Sequence, residues 1–166
     1  MKKIIAVLAF VPIIAFAECP VFTGDYVCEI PTPNGIVKLP IKVETDGDKY
    51  TFVNLRDNLT EKWIADGVEK STVKHTVEGD LRVVQKVWCD GDKLRAVFHQ
   101  ALYHDSTYVE GKIPSMEKTH EQSFYLDTSG HLHNIDINTF KISGKSSSEL
   151  PREIIPYMCP KVEKNG

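Results

Sequence analysis

The stretch Leu81–Ala101 reads LRVVQKVWCDGDKLRAVFHQA. Two runs rich in valine and aromatics, Leu81–Cys89 and Leu94–Ala101, are joined by Asp90-Gly91-Asp92-Lys93, residues that tolerate the backbone of a tight turn. This is the pattern of an antiparallel hairpin. The same unit, a strand-forming run closed by Asn-Gly or Asp-Gly, recurs at Asn34-Gly35, Asp46-Gly47 and Asp66-Gly67. With the further turns read at Arg56-Asp57-Asn58-Leu59 and Glu78-Gly79-Asp80, the turn signals from Asn34-Gly35 to Asp90-Gly91 fall roughly every 9 to 13 residues, the spacing of an all-β sandwich or barrel. No helical period competes there.

Outward from the hairpin, Gly24–Ile30 carries Tyr26, Cys28 and Ile30 at period two, a half-buried strand. Ile36–Val43 alternates Val37, Leu39, Ile41 and Val43 against Lys38 and Lys42, and Pro40 within it predicts an edge or bulged strand. Lys49–Leu55, Thr60–Ile64 and Val68–Val77 read as further strands. After Ala101 the pattern loosens as far as Pro114, and strand character returns in Met116–Leu126 and His131–Ile137, with Phe140 and Ile142 extending the latter. Ser143–Ser148 reads as a flexible linker, and Glu149–Tyr157 as one helical turn kept short by Pro151 and Pro156. The expected architecture is a single antiparallel up-and-down β-barrel of eight to ten strands over residues 18–160, since closure removes exposed edges. A two-sheet β-sandwich is the alternative. Lys161–Gly166 is expected to be a flexible end.

The chain opens MKKIIAVLAFVPIIAFA: two lysines, an apolar core from Ile4 to Phe16, and a small-x-small site at Ala15-Phe16-Ala17. This is the pattern of a bacterial-style secretory signal peptide, residues 1–17, cleaved after Ala17, and its apolar run falls short of the roughly 20 residues a bilayer span needs. Export to the periplasm or beyond the cell is expected, with no membrane span in the mature protein. Without Lys2 and Lys3 the net charge falls from −3 to about −5, with both signs interspersed. That charge gives no basic footprint for nucleic acid or for an anionic membrane surface.

Four cysteines, Cys19, Cys28, Cys89 and Cys159, remain in the exported chain. An even count in an oxidising compartment predicts two disulfides, whereas zinc sites show paired Cys or Cys/His spacings missing here. Three pairings are open. In each of them Cys159 fastens the C-terminal tail to the body.

Gly24-Asp25-Tyr26 places a glycine, any residue, then an aromatic on the first strand, ahead of a hairpin meander and a cysteine-bearing tail. The chain thereby resembles the lipocalin-like (calycin) proteins, whose first-strand pattern is glycine, any residue, tryptophan; Tyr26 stands in the tryptophan's place. The resemblance implies a ligand cavity inside the barrel.

No GxSxG, HExxH, P-loop or dinucleotide fingerprint is present, so neither an enzyme nor a cofactor is expected. Ser71-Thr72-Val73-Lys74 matches SxxK, but lies in a strand pattern without the partner motifs that chemistry needs. Asp46-Gly47-Asp48 and Asp90-Gly91-Asp92 lack the further oxygen ligands of a calcium loop. His131 and His133 share a strand face and are the candidate metal ligands, while Asp136 falls on the opposite face from His133. Phe52, Trp88 and Phe98 are the candidate ligand-lining residues, and Gln85, His75 and His120 would suit a partly wet cavity if they face inward. The expected function is an exported, monomeric binding protein for a small, partly apolar ligand. The alternatives are an envelope structural or protein-interaction module with a filled core, which acts on an envelope component, and a zinc-binding periplasmic protein.

Overall fold

The computed structural model describes residues 19–104, 107–143 and 152–163. The expected signal peptide, residues 1–17, and most of the expected Ser143–Ser148 linker lie outside the described residues. Ten strands run in chain order: β1 (Gly24–Thr32), β2 (Gly35–Asp46), β3 (Lys49–Asn54), β4 (Thr60–Ile64), β5 (Lys70–Thr76), β6 (Gly79–Asp90), β7 (Lys93–His104), β8 (Met116–Leu126), β9 (Leu132–Ile142) and β10 (Arg152–Cys159). The quoted stretch is the β6–β7 hairpin, paired from Gly79↔His104 to Asp90↔Lys93. Its two-residue loop starts at Gly91 with φ +60°, and the β2–β3 loop starts the same way at Gly47. A first loop residue at positive φ is the type II′ arrangement, whose twist matches the flanking strands.

All ten strands belong to one antiparallel sheet in the order β4-β3-β2-β1-β10-β9-β8-β7-β6-β5. This is an up-and-down meander in which the first and last strands meet and the break falls between β4 and β5. The expected all-β antiparallel architecture holds, as one sheet rather than two. Barrel closure does not: β4 and β5 are not paired with each other, and the chain between them touches β6 through the Asp66↔Trp88 bridge and the Gly67 N–H donating to the Val87 carbonyl at 2.8 Å. The reason lies in β5, exposed along its whole length, which has no apolar face to draw it against β4. The sheet still curls enough to bring Phe52 of β3 against Phe124 of β8, and Trp63 of β4 against Phe98 of β7.

Two local expectations change. Of the segment expected to form a helical turn, Glu149–Pro151 lies outside the described residues and the rest is strand: Arg152–Cys159 is β10, paired with β9 from Arg152↔Thr139 to Cys159↔Leu132. Pro156 is tolerated because β10 meets β1 at the single register pair Glu29↔Met158, past the proline. Pro40 does not mark an edge, since β2 lies between β1 and β3. Its carbonyl accepts the Leu55 N–H at 2.9 Å, so its nitrogen also faces the β3 side, just beyond the last ladder pair, Ile41↔Asn54. The expected flexible end is held at its start, where Lys161 bridges Tyr26 and the Val162 N–H donates to the Asp25 carbonyl.

The core is the inner face of the curl. Period-two alternation and register put Tyr26 and Cys28, Val43, Leu94 and Ala96, Phe124 and Leu132 on that face, all buried. Fully burying a side chain such as leucine contributes about 1.5–3 kcal/mol, so this cluster carries much of the stability. Disulfides join Cys19 to Cys89 and Cys28 to Cys159, and no cysteine is free among the described residues. Both bridges suit an oxidising, non-cytoplasmic environment.

Candidate functional site

One end of the curl is plugged. The segment before β1 is pinned by Cys19–Cys89 and drives Phe22, fully buried, against the Tyr50 ring at 5.7 Å between centroids. Hydrogen bonds fix it: Tyr26 Oη donates to the Phe22 carbonyl (2.8 Å), Tyr50 Oη to the Pro20 carbonyl (2.7 Å), and the Phe22 N–H to Thr45 Oγ1 (3.1 Å). Burial, with the Asp48 charge adding to it, pushes the Tyr50 hydroxyl up to about 12. Gly24 belongs to this end. A Cβ there would lie 2.9 Å from Lys161 Cε and 3.3 Å from the Tyr26 ring, so the glycine of the Gly24-Asp25-Tyr26 pattern is a close-approach residue.

Away from the plug the inner face turns from apolar to polar, and a cleft of about 250 Å³ opens there. Phe52, Trp63 and Phe124 form an aromatic wall, with ring centroids 4.9 Å (Phe52–Trp63), 5.2 Å (Phe52–Phe124) and 5.6 Å (Trp63–Phe124) apart. Leu39, Ile41 and Cys28 continue the apolar lining. Asn54, Glu61, Gln122 and Tyr157 supply its polar atoms. Such tilted ring pairs each contribute about 0.5–1.5 kcal/mol beyond burial, so the wall is preformed.

Behind the cleft the same face carries a polar cluster on β8, β9 and β10. Asn134, almost wholly buried, donates through Nδ2 to the Tyr157 hydroxyl, and Asn138 Nδ2 donates to Asp136 Oδ1 at 3.1 Å. His120 Nε2 lies 2.7 Å from Asp136 Oδ1, an ion-pair distance, yet lacks hydrogen-bond geometry and is among the buried atoms without a hydrogen-bond partner. The separation establishes contact, and the misaligned N–H makes it a poor hydrogen bond. Asn134 Oδ1 and Asn138 Oδ1 are also buried without a partner. Burial raises the Tyr157 hydroxyl above its ordinary value; the Asn134 bond opposes this, while the charges of Asp136 and Glu61 add to it.

The candidate residues are distributed unevenly over this geometry. Phe52 lines the cleft, and Phe98 backs it through Trp63 at 5.6 Å and His120 at 5.7 Å. Trp88 does not belong there. Cys89 must point inward to reach Cys19, so its neighbour Trp88 lies on the outer face, in a separate hollow under Lys86 Nζ. His75 is solvent-exposed and pairs with Asp80, whereas His120 faces inward. Trp63 and Phe124, aromatics whose default reading is core, join the cleft, and Tyr157 and Asn134 are the missed residues. Inward parity from Cys159 would have found Tyr157, but Asn134 needs the cross-strand register that sets it beside Tyr157.

His131 and His133 come together around one carboxylate rather than a metal-ligand set. Asp127 Oδ2 lies 2.9 Å from His133 Nε2 and 3.6 Å from His131 Nδ1, while Oδ1 accepts the Ser129 and His131 N–H groups of the β8–β9 turn. The His133 bond, followed by those backbone donors, holds the Asp127 carboxyl below its ordinary value. Among the described residues no group of three or more His, Cys, Asp or Glu side chains is arranged to hold a metal ion. The arrangement is that of a pinned hairpin turn. The chain matches no protein-family model, no curated protein and no solved structure.

Proposed function

We propose that this chain is an exported, lipocalin-like binding protein that holds a small, partly apolar ligand in the cleft beside Phe52, Trp63 and Phe124. The observation that carries this reading is the shape and chemistry of the cleft: an aromatic wall, apolar sides and a few polar groups, the make-up of small-molecule sites. Its volume of about 250 Å³ lies just below the roughly 300 Å³ at which ligand pockets usually begin, which favours a compact ligand or one that projects from the mouth. Buried polar atoms without partners support the same reading, since a core selected for stability alone would not retain them. The amino-terminal signal-peptide pattern and the two disulfides support export to the periplasm or beyond.

The test is native mass spectrometry of the protein purified from its own host's envelope fraction, compared with the same sample after denaturation. A mass excess that disappears on denaturation is the expected result. A bare mass, in folded protein with both disulfides intact, would overturn the reading in favour of a surface-interaction module with a filled core.

A further inference from the structure

We infer that the ligand of this cleft is an organic cation, an ammonium group carrying a short apolar arm. The inference rests on the binding reading above and names the class of molecule the site selects.

The first observation is charge. Among the described residues Glu61 is the single charged residue lining the cleft, and no lysine, arginine or histidine lines it. Among the described residues no cation pairs with the Glu61 carboxylate, although pairs such as Lys38–Glu29 and Lys42–Glu44 occur nearby on the same sheet. A carboxylate at the mouth of an apolar cleft attracts a cation and repels an anion.

The second observation is the aromatic wall beside that carboxylate, since Glu61 pairs across the strands with Phe52 and shares a face of β4 with Trp63. Phe52, Trp63 and Phe124 give three mutually packed rings within 5.6 Å of one another, and the negative faces of aromatic rings attract an ammonium ion. An aromatic wall with one carboxylate is a combination that neither a fatty carboxylate nor an uncharged hydrocarbon would need. The third observation is the set of buried acceptors. Asn134 and Asn138, each more than nine-tenths buried, keep amide oxygens without donors on the same inner face, and Asp136 lies between them on β9. The inner face thus presents acceptors and negative charge, and the charges of both Asp136 and Glu61 act on the Tyr157 hydroxyl. A cationic side chain is what the cleft lining lacks among the described residues.

The test uses three probes that share one alkyl chain: hexyltrimethylammonium, hexanol and hexanoate. Trp63 stands in the cleft and Trp88 on the outer face, so a Trp88→Phe variant leaves Trp63 as the one tryptophan and makes its fluorescence a direct reporter. Hexyltrimethylammonium is expected to bind about tenfold more tightly than hexanol, with hexanoate weakest. Glu61→Gln, a change at an exposed residue, is expected to weaken the ammonium about fivefold and leave hexanol unaltered. Hexanoate binding as tightly as the ammonium, or an ammonium affinity unchanged by Glu61→Gln, overturns the assignment while hexanol binding keeps the apolar cleft. Failure of all three probes at millimolar concentration overturns the binding reading itself.

Discussion

Removing the Cys28–Cys159 bridge should loosen the molecule at a defined seam. The sheet consists of two meanders, β4-β3-β2-β1 and β10-β9-β8-β7-β6-β5, joined where β1 meets β10. One register pair, Glu29↔Met158, joins them there, against nine pairs between β1 and β2. The Tyr26↔Lys161 bridge and two backbone bonds, Val27 N–H to the Pro160 carbonyl and Val162 N–H to the Asp25 carbonyl, add to it. The disulfide crosses this seam on the inner face, between two buried cysteines 131 residues apart in sequence. For a loop of that length the chain-entropy model gives about 5 kcal/mol, the upper end of the measured range. The 70-residue Cys19–Cys89 loop gives about 4.4 kcal/mol by the same model. In a Cys28→Ala/Cys159→Ala variant the melting temperature should therefore fall by roughly 10–20 °C, at 2–4 °C per kcal/mol for a chain of this size. Guanidinium unfolding gives the free energy, and hydrogen exchange locates the loss. The Val27 and Val162 amides should exchange by local opening, ahead of the β6–β7 hairpin. A loss below about 2 kcal/mol, under what native disulfides in small secreted domains contribute, would refute the reasoning. So would seam amides that exchange only with global unfolding.

Three further outcomes follow from single positions. Gly24→Ala should cost about 1 kcal/mol in denaturant unfolding, because Lys161 can swing aside but the Tyr26 ring, buried and hydrogen-bonded to Phe22, cannot; a neutral result would remove the close-approach role. Asn134→Leu should stabilise the fold by about 1 kcal/mol, since it deletes a buried acceptor without a partner, while weakening ligand retention in the native mass measurement. A destabilised protein would show that the bond to Tyr157 outweighs the orphaned oxygen. Tyr50 should titrate near 12 in tyrosinate absorbance. Because its folded-state value is raised above the ordinary 10.0, its contribution is complete below pH 10 and is lost as the pH rises towards 12. Normal titration of Tyr50 in folded protein would contradict its burial at the plug.

The strand runs and their turns were legible in the chain because alternation and Asp-Gly or Asn-Gly loops are local: a strand face repeats every second residue, and a type II′ loop needs only its own glycine. Disulfide formation was legible from the even cysteine count and the signal-peptide pattern at the amino terminus, but not its pairing, which depends on which strands become neighbours. β10 was hidden because Pro156 argues against a strand unless one edge goes unpaired, and the meeting of β1 with β10 is a contact across almost the whole chain. Trp88 was misplaced for a related reason. Val83-Val84 and Val87-Trp88 are apolar on both faces, so periodicity could not choose the inner one; the Cys89 bond to Cys19 chose it. The alternating strands, the turns and the oxidised cysteines were thus determined by the sequence itself. The break between β4 and β5, the aromatic wall of Phe52, Trp63 and Phe124, and the polar cluster around His120 and Asp136 were decided by tertiary structure alone. They join residues far apart in the chain, and only the register of the curled sheet sets which side chains meet.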